Sequence, residues 1–373
     1  MRRLQLGAVQ RDLRTKMVFL VGPRQVGKTW LAKELMRPFA HPLYLNYDHL
    51  EDREVVAEEA WLPETDLLVF DELHKMEGWK NYLKGVYDTK PSHLSILVTG
   101  SARLDTFRQG GDSLAGRYFT HRLLPFSVAE LAGGGVPHVL DRLLARGGFP
   151  EPFLAENDEN AQRWRRQYAE SLIRTDVLDF ERVHDIRAMQ TTVELLRRRV
   201  GSPVSFASLA RDTNIAPATM MRYIAILEAL YIVFRVTPFA RSIARSIRKE
   251  PKLYFFDTGM VIGDDGARLE NTVAVCLLKH CYAVEDTEGV ACRLHALRTK
   301  DGKETDFCIV RGDAVERMIE VKVRDRHLDP DLLSFSSAYG FPGIQIVQHL
   351  RLERREDAVA LRRAEEWLSE LCL

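Results

Sequence analysis

The chain has 373 residues, with 53 basic and 53 acidic side chains and no formal net charge, a length that suits two or three domains of roughly 150 residues each. Balanced charge excludes a polyanion-binding surface spread over the whole molecule, so any nucleic-acid contact has to be local. No run of 18 or more apolar residues occurs, and the opening MRRLQLGAVQRDLRTK lacks the apolar segment of a secretory leader, which predicts a cytoplasmic chain with no membrane partner.

Residues 1–140 alternate short apolar runs (MVFLVG, PLYLNYD, DLLVFDE, LSILVTGS) with helical segments. Runs apolar on both faces and separated by helices predict an α/β domain with a parallel sheet covered on both sides. GPRQVGKT, Gly22 to Thr29, follows the first run and opens a helix, and it fits G-x-x-x-x-G-K-[ST]. In such a loop, glycines let backbone N–H groups face phosphates, and the helix N-terminus adds positive potential. Gly22, Pro23, Arg24, Gln25, Val26, Gly27, Lys28, Thr29 and Trp30 are the expected nucleotide contacts. Lys28 is expected on the β- and γ-phosphates and the Thr29 hydroxyl on magnesium.

Asp71 and Glu72 end the run LLVFDE, where open α/β sheets place ligands. Asp71 suits magnesium, and Glu72 suits polarising an attacking water, because phosphoryl transfer is mostly positioning and electrostatics. Thr99 and Ser101 end the next strand as hydroxyls able to orient that water. Arg117, beside a glycine in SLAGRYF, is the candidate arginine finger supplied by a neighbouring copy. ATP and Mg2+ are the expected cofactors.

Residues 141–250 read as helices, including NAQRWRRQYAESLIRTDVL and MQTTVELLRRRV, and GGGVP, just before them, and RGGFPEP are the linker candidates. SFASLARDTNIAPATMMRYIAILEALYIVFRVTPF reads as a helix-turn-helix followed by a wing. Phe206, Leu209 and Ala210 form an apolar face, and Pro217 suits a first helical position. Ile215, Met221, Ile224 and Leu227 are expected inside. Thr219, Met220, Arg222 and Tyr223 are expected on a DNA-reading face, with Arg241, Arg245, Arg248 and Lys249 on phosphates.

Residues 251–373 return to strands in KLYFFDTG, ETDFCIV, RMIEVKV and GIQIVQHL, and are expected to end in a charged amphipathic helix, REDAVALRRAEEWLSELCL. Cysteines at 276, 281, 292, 308 and 372 form no C-x-x-C pair and read as free thiols.

The collinear order GPRQVGKT, FDELHK, VTGS, LAGRY, GGFPEP, helix-turn-helix, PKLYFFDTG, LENTV, TDF and EVK resembles the large prokaryotic family of predicted AAA-type ATPases that carry a C-terminal domain of unknown function. That resemblance implies a P-loop NTPase domain with helices on both sheet faces (1–140), a helical region with a winged helix-turn-helix (141–250), and a C-terminal α/β domain similar to restriction endonucleases (251–373). Endonuclease-like sites place one acid on a helix, a second on a strand, and a third two residues before a lysine on the adjacent strand. Glu270, Asp306, and Glu320 with Lys322 supply that set and are the expected ligands of a second Mg2+. With period two, Glu320 and Lys322 share one strand face.

Three functions follow as expectations. The leading one is Mg2+-dependent ATP hydrolysis by a homo-oligomer, a hexamer by preference, coupled to remodelling of DNA such as branched or forked forms. The second is an ATP-regulated, Mg2+-dependent DNA endonuclease. The third is a nucleotide switch in signalling or defence that acts on a protein partner.

Overall fold

The computed structural model describes residues 3–100, 114–172, 185–239, 250–299, 302–325 and 327–371. The chain divides into two compact units, Met1–Leu124 and Pro125–Leu373. The composition breaks at 140/141 and 250/251 both fall inside the second unit.

In the first unit the apolar runs become β1 (Met17–Val21), β2 (Pro42–Asn46), β3 (Leu67–Asp71) and β4 (Ser95–Gly100), joined by β5 (Tyr118–Arg122). They form one sheet in the order β2-β3-β4-β1-β5, with every pair parallel. Helices α1 (Leu6–Asp12), α2 (Lys28–Met36), α3 (Leu50–Glu58) and α4 (Trp79–Thr89) connect and cover it. Every residue of β1 and β3 is buried, the reason that these strands, apart from the terminal Asp71, are apolar on both faces rather than alternating. Phe19, Phe70, Leu83 and Val98 share one core cluster, each such burial contributing roughly 1.5–3 kcal/mol.

After β1 the chain crosses to β2, returns through β3 to β4, and then places β5 on the other side of β1. The carboxyl ends at such a reversal form the crevice where open α/β sheets hold ligands. Strand register brings those ends level. Asp71 lies opposite both Asn46 and Thr99, and Leu20 opposite Thr99.

The second unit opens with α5 (Val128–Leu131), α6 (Val139–Arg146), α7 (Pro150–Leu154), α8 (Asp158–Ser171) and α9 (Ile186–Arg197). Next come α10 (Phe206–Asp212), α11 (Pro217–Ala229), β6 (Val233–Pro238) and β7 (Lys252–Phe255). Ser205 caps α10, Asn214 takes a left-handed turn conformation, and Pro217 starts α11. The antiparallel β6–β7 hairpin, with an isolated bridge from Pro203 to Lys252, forms the wing-like element after the two helices.

The inward face of α11 differs from the expected one. Met220, Tyr223, Ile224 and Leu227 are buried at i, i+3, i+4 and i+7, whereas Met221 is 58% exposed. Tyr223 OH donates to the Asp185 carbonyl at 3.1 Å, and Met220 Sδ lies 4.0 Å from Thr192 Oγ1 on α9. These contacts set the helix phase and remove Met220 and Tyr223 from the outer face, leaving Pro217, Ala218, Met221 and Arg222 exposed. Arg241, Arg245, Arg248 and Lys249 lie outside the described residues.

The C-terminal part contains α12 (Asp265–Glu288), β8 (Cys292–Arg298), β9 (Glu304–Arg311), β10 (Ala314–Lys322), α13 (Pro330–Tyr339), β11 (Gly343–Val347), β12 (Arg354–Glu356), β13 (Val359–Arg363) and α14 (Ala364–Ser369). Its sheet runs β12-β13-β11-β10-β9-β8-β6-β7, so β6 and β7 extend the C-terminal sheet and the two segments make one unit. β8, β9 and β10 form an antiparallel meander, and β11 lies parallel to β10. The expected final helix is mostly a hairpin. Asp357 takes a left-handed turn, and Val359 and Leu361 alternate into the core, so a strand period governs until Ala364. Cys276, Cys281, Cys292 and Cys308 are free and buried, as expected, and Cys372 lies outside the described residues.

Within α12, Lys279 is 1% exposed and its Nζ lies 2.5 Å from Glu130 Oε2 of α5, with a further bond to the Pro125 carbonyl at 3.0 Å. Removing one partner of a buried pair leaves a charge without compensation. Lys279→Met should therefore lower the stability of the second unit by roughly 3–5 kcal/mol, and adding Glu130→Leu should recover most of that loss. The urea midpoint of that unit's transition measures both.

Candidate functional site

The loop between β1 and α2 is shaped by backbone that side chains resist. Gly22 has φ +149° and its Cα faces Leu123, so that a Cβ there would lie 2.1 Å from the Leu123 carbonyl oxygen. Gln25 (φ 59°) and Gly27 (φ 96°) also take left-handed conformations. Together they curl the chain into the N-terminus of α2. Lys28 Nζ donates to the carbonyls of Gly22 at 3.0 Å and Pro23 at 2.7 Å. Burial pushes the Lys28 ammonium down to about 8, against the opposing charges of Glu72 and Asp71.

Asp71, at the end of β3, is 7% exposed. One carboxylate oxygen accepts from Thr29 Oγ1 at 3.1 Å and from the Tyr44 hydroxyl; the other accepts from the Thr99 hydroxyl. Thr29 and Asp71, each expected on magnesium, are brought together by this bond and present hard oxygen donors of the kind magnesium takes. Glu72 is a non-glycine residue in the left-handed region (φ 57°), held there by its N–H donating to the Thr99 carbonyl at 3.1 Å. Such backbone costs of order 1–3 kcal/mol and clusters at functional sites. Glu72 Oε2 is buried without a hydrogen-bond partner, 3.6 Å from both His74 Nε2 and Lys75 Nζ. Burial raises the Glu72 pKa, and Lys75 and Lys28 oppose the rise. A carboxylate so placed has a free lone pair and raised basicity, the properties of a base that takes a proton from water.

Pro23 and Val26 are buried in the loop, Gln25 is exposed, Arg24 is partly exposed, and Trp30 is 43% exposed on α2. Ser101 lies outside the described residues. Arg117 precedes β5, and its carbonyl accepts from Met17 N–H at the amino end of β1. That is the sheet end opposite the loop, with the length of β1, roughly 3.3 Å per residue, between them. Arg117 makes a bidentate pair with Asp88 of α4 (2.8 and 3.0 Å), so within one chain it does not reach the loop.

Two contributors escaped the sequence reading. Tyr44 joins Asp71 because β2 neighbours β3, and although period two in PLYLN puts Tyr44 and Asn46 on one face, only the sheet order reveals what that face meets. Arg3, 2% exposed, donates from its guanidinium to the carbonyls of Val26 and Leu124, tying the loop to the end of the first unit. A buried arginine so near an N-terminus carries no motif.

In the second unit Glu270 on α12, Asp306 on β9, and Glu320 and Lys322 on β10 come together in one cluster. Lys252 of β7, absent from the sequence reading, projects its ammonium among them. Its Nζ lies 2.7 Å from Glu304 Oε1 and 3.4 Å from both Glu270 Oε1 and Asp306 Oδ1. Tyr254 OH donates to Glu270 Oε1 at 2.7 Å. Asn271 holds Glu270 in place by bonding both backbone groups of Phe255 (2.8 and 2.9 Å). Lys322 Nζ lies 2.7 Å from Glu320 Oε1 and 3.2 Å from Asp329 Oδ2. Asp306 Oδ2 accepts from Val321 N–H at 3.0 Å, and Glu320 Oε2 from Asp306 N–H at 3.3 Å. Burial, then the charge of Asp306, raises Glu270 and Glu320. Burial lowers Lys252, but Glu270, Asp306 and Glu304 outweigh it and the net shift is upward. Among the described residues no three His, Cys, Asp or Glu side chains converge as a metal-holding group.

A family model described as an AAA domain matches residues 14–132, and this segment is an AAA-type P-loop ATPase domain. A model described as a domain of unknown function (DUF8612) matches residues 138–264, from the start of α6 to the cap of α12. An uncharacterized protein of Mycobacterium tuberculosis is 28% identical over 250 residues, covering 66% of this chain and 56% of its own. The chain thus spans little more than half the length of that relative. An uncharacterized protein of Methanocaldococcus jannaschii is 23% identical over 333 residues, covering 71% of this chain and 68% of its own. Among solved structures, a Walker-type ATPase of Pyrococcus abyssi aligns at 16% identity and TM-score 0.47, covering 70% of this chain and 94% of that one. The Thermotoga maritima RuvB Holliday junction branch migration motor aligns at 16% identity and TM-score 0.30, covering 62% and 87%. No helix among the described residues is long and apolar enough to cross a membrane.

The Lys28 shift has a measurable consequence. Phosphates attract the protonated amine, so affinity for ATP should fall as pH rises through about 8. Calorimetry in buffers of different ionisation enthalpy should find little proton uptake on ATP binding at pH 7 and a large fraction of one proton at pH 8.5. Lys28→Met should abolish that difference.

Proposed function

We propose that the first unit hydrolyses Mg2+-ATP and that a homo-oligomer of the chain uses the cycle to change its grip on DNA. The observation that carries the hydrolytic reading is the end of β3. There Asp71 is bonded to the loop threonine, while the next residue, Glu72, is held in a costly backbone conformation with a buried oxygen that has no hydrogen-bond partner. Phosphoryl transfer asks the protein for positioning and charge stabilisation rather than covalent chemistry.

In this reading the loop N–H groups and Lys28 hold the polyphosphate, and Lys28 exchanges its bonds to the Gly22 and Pro23 carbonyls for phosphate oxygens. Glu72 accepts the proton of the attacking water. Thr99 fixes both partners, its hydroxyl on Asp71 and its carbonyl on the Glu72 N–H. Thr29 and Asp71 would hold magnesium, whose chemistry when bound is to neutralise charge on the phosphates. Arg117 acts, in the assembly, on a neighbour's nucleotide after leaving Asp88. Turnover per chain then rises with protein concentration, and Arg117→Ala removes the rise.

The DNA part rests on the helix-turn-helix and hairpin of residues 203–255. Residues 185–239 carry seven arginines against four carboxylates, and Arg187, Arg198, Arg211 and Arg222 are exposed. With Met220 and Tyr223 buried, the outer face of α11 offers one charged side chain, Arg222. That composition supports phosphate contact more than base reading, and binding should be strongly salt-dependent. Branched or forked DNA as the target, and six copies as the assembly, belong to the same reading.

Glu72→Gln should lower turnover at least a hundredfold while retaining ATP binding, and Lys28→Ala should lose both. DNA should stimulate turnover of the native chain several-fold, and Arg222→Ala should weaken DNA binding and reduce the salt slope by about 1. Absence of any DNA effect on turnover, at any salt concentration, would replace this reading by that of a switch acting on a protein partner.

A further inference from the structure

The carboxylate cluster of the second unit has the residues of a divalent-metal nuclease site, but a side chain already fills the place of the ion. We propose that the Lys252 ammonium is the resident cation of this cluster, and that the cluster is a metal-free ion-pair junction joining the wing hairpin to the C-terminal sheet. The inference is independent of the ATPase reading, because it concerns different residues.

The geometry gives each expected ligand another commitment. Glu270 and Asp306 each have an oxygen 3.4 Å from Lys252 Nζ, and Glu304 closes the same ammonium at 2.7 Å. An ammonium has three N–H donors, and three carboxylates here surround it. Glu270 is further held by Tyr254, Asp306 by the Val321 N–H, and Glu320 by Lys322. Magnesium needs oxygens at about 2.1 Å in near-octahedral array, usually with several waters retained. Placing it here would bring two positive charges against the ammonium of a lysine that is 4% exposed.

The chain also covers the cluster from the winged-helix side. Gly201 packs against Glu270 so closely that a Cβ would lie 2.6 Å from Oε2, which leaves no width for a hydrated ion on that side. Lys252 itself is bridged to Pro203 in the backbone, and Val204 N–H donates to the Pro251 carbonyl at 2.8 Å. The lysine thus arrives on the wing as part of the fold and is not a mobile surface side chain. Its removal, with the carboxylates retained, leaves Glu270, Glu304 and Asp306 repelling one another around an open position that a divalent cation relieves.

The test uses the full chain without nucleotide and Mn2+ as probe, with binding read by the loss of the free Mn2+ paramagnetic resonance signal. The native chain should show no saturable site of this kind. Lys252→Met should gain one saturable Mn2+ site per chain, at Mn2+ concentrations at least tenfold below those at which the native chain shows any binding, and Lys252→Met/Asp306→Asn should lose that site. One saturable Mn2+ on the native chain that Asp306→Asn removes would overturn the proposal, as would Lys252→Met failing to gain a site while remaining folded by circular dichroism. If Lys252→Met does not fold, Lys252→Gln and the native measurement decide by the same criteria. DNA cleavage by the native chain in Mn2+ that Asp306→Asn abolishes also overturns it.

Discussion

A carboxylate buried at the end of a central strand must have its lone pairs satisfied, and the first unit is arranged around how Asp71 meets that demand. Three hydroxyls do so, from α2, β2 and β4. Hydrogen bonds to a charged group contribute roughly 1.5–3 kcal/mol each, so together they fix the start of α2 and the ends of three strands to one point. The loop built on Gly22 and Gly27 leads into α2 at that point, and the left-handed Glu72 follows directly after it, its N–H on the Thr99 carbonyl.

The same comparison separates the two carboxylate sites of the chain. The donors that satisfy the oxygens of Asp71 are hydroxyls, which carry no charge of their own. At the second site two ammonium groups, Lys252 and Lys322, sit among Glu270, Asp306, Glu304 and Glu320 and offset part of the negative charge while satisfying some of the oxygens. Both are buried acids, and the identity of the donor decides what they can still bind. This distinction rests on single side chains, Tyr44 and Thr99 on one hand and Lys252 on the other.

Much of this was legible in the sequence, for identifiable reasons. The phosphate loop, Asp71 and Glu72 announce themselves because a glycine-lysine motif between an apolar run and a helix has few other uses. The parallel sheet was legible because strands covered on both faces must be apolar throughout. The face of α11 was not. Met220 and Met221 are adjacent and chemically identical, and only contacts with α9 choose between them. The C-terminal hairpin hid within a charged segment whose alternation spans only five residues. Lys252 escaped because its partners lie 18 to 54 residues later in the chain, on a helix and a strand whose adjacency to β7 no local pattern encodes.

The central claim is that Asp71 retains a charge for magnesium while its hydroxyl partners hold it in place. The most direct test is ATP affinity of the native chain and of Asp71→Asn, each measured with and without Mg2+ by calorimetry. The account predicts that Mg2+ tightens ATP binding to the native chain at least tenfold and leaves Asp71→Asn nearly unaffected, with both binding free ATP comparably. An equal Mg2+ effect in the two proteins would contradict it.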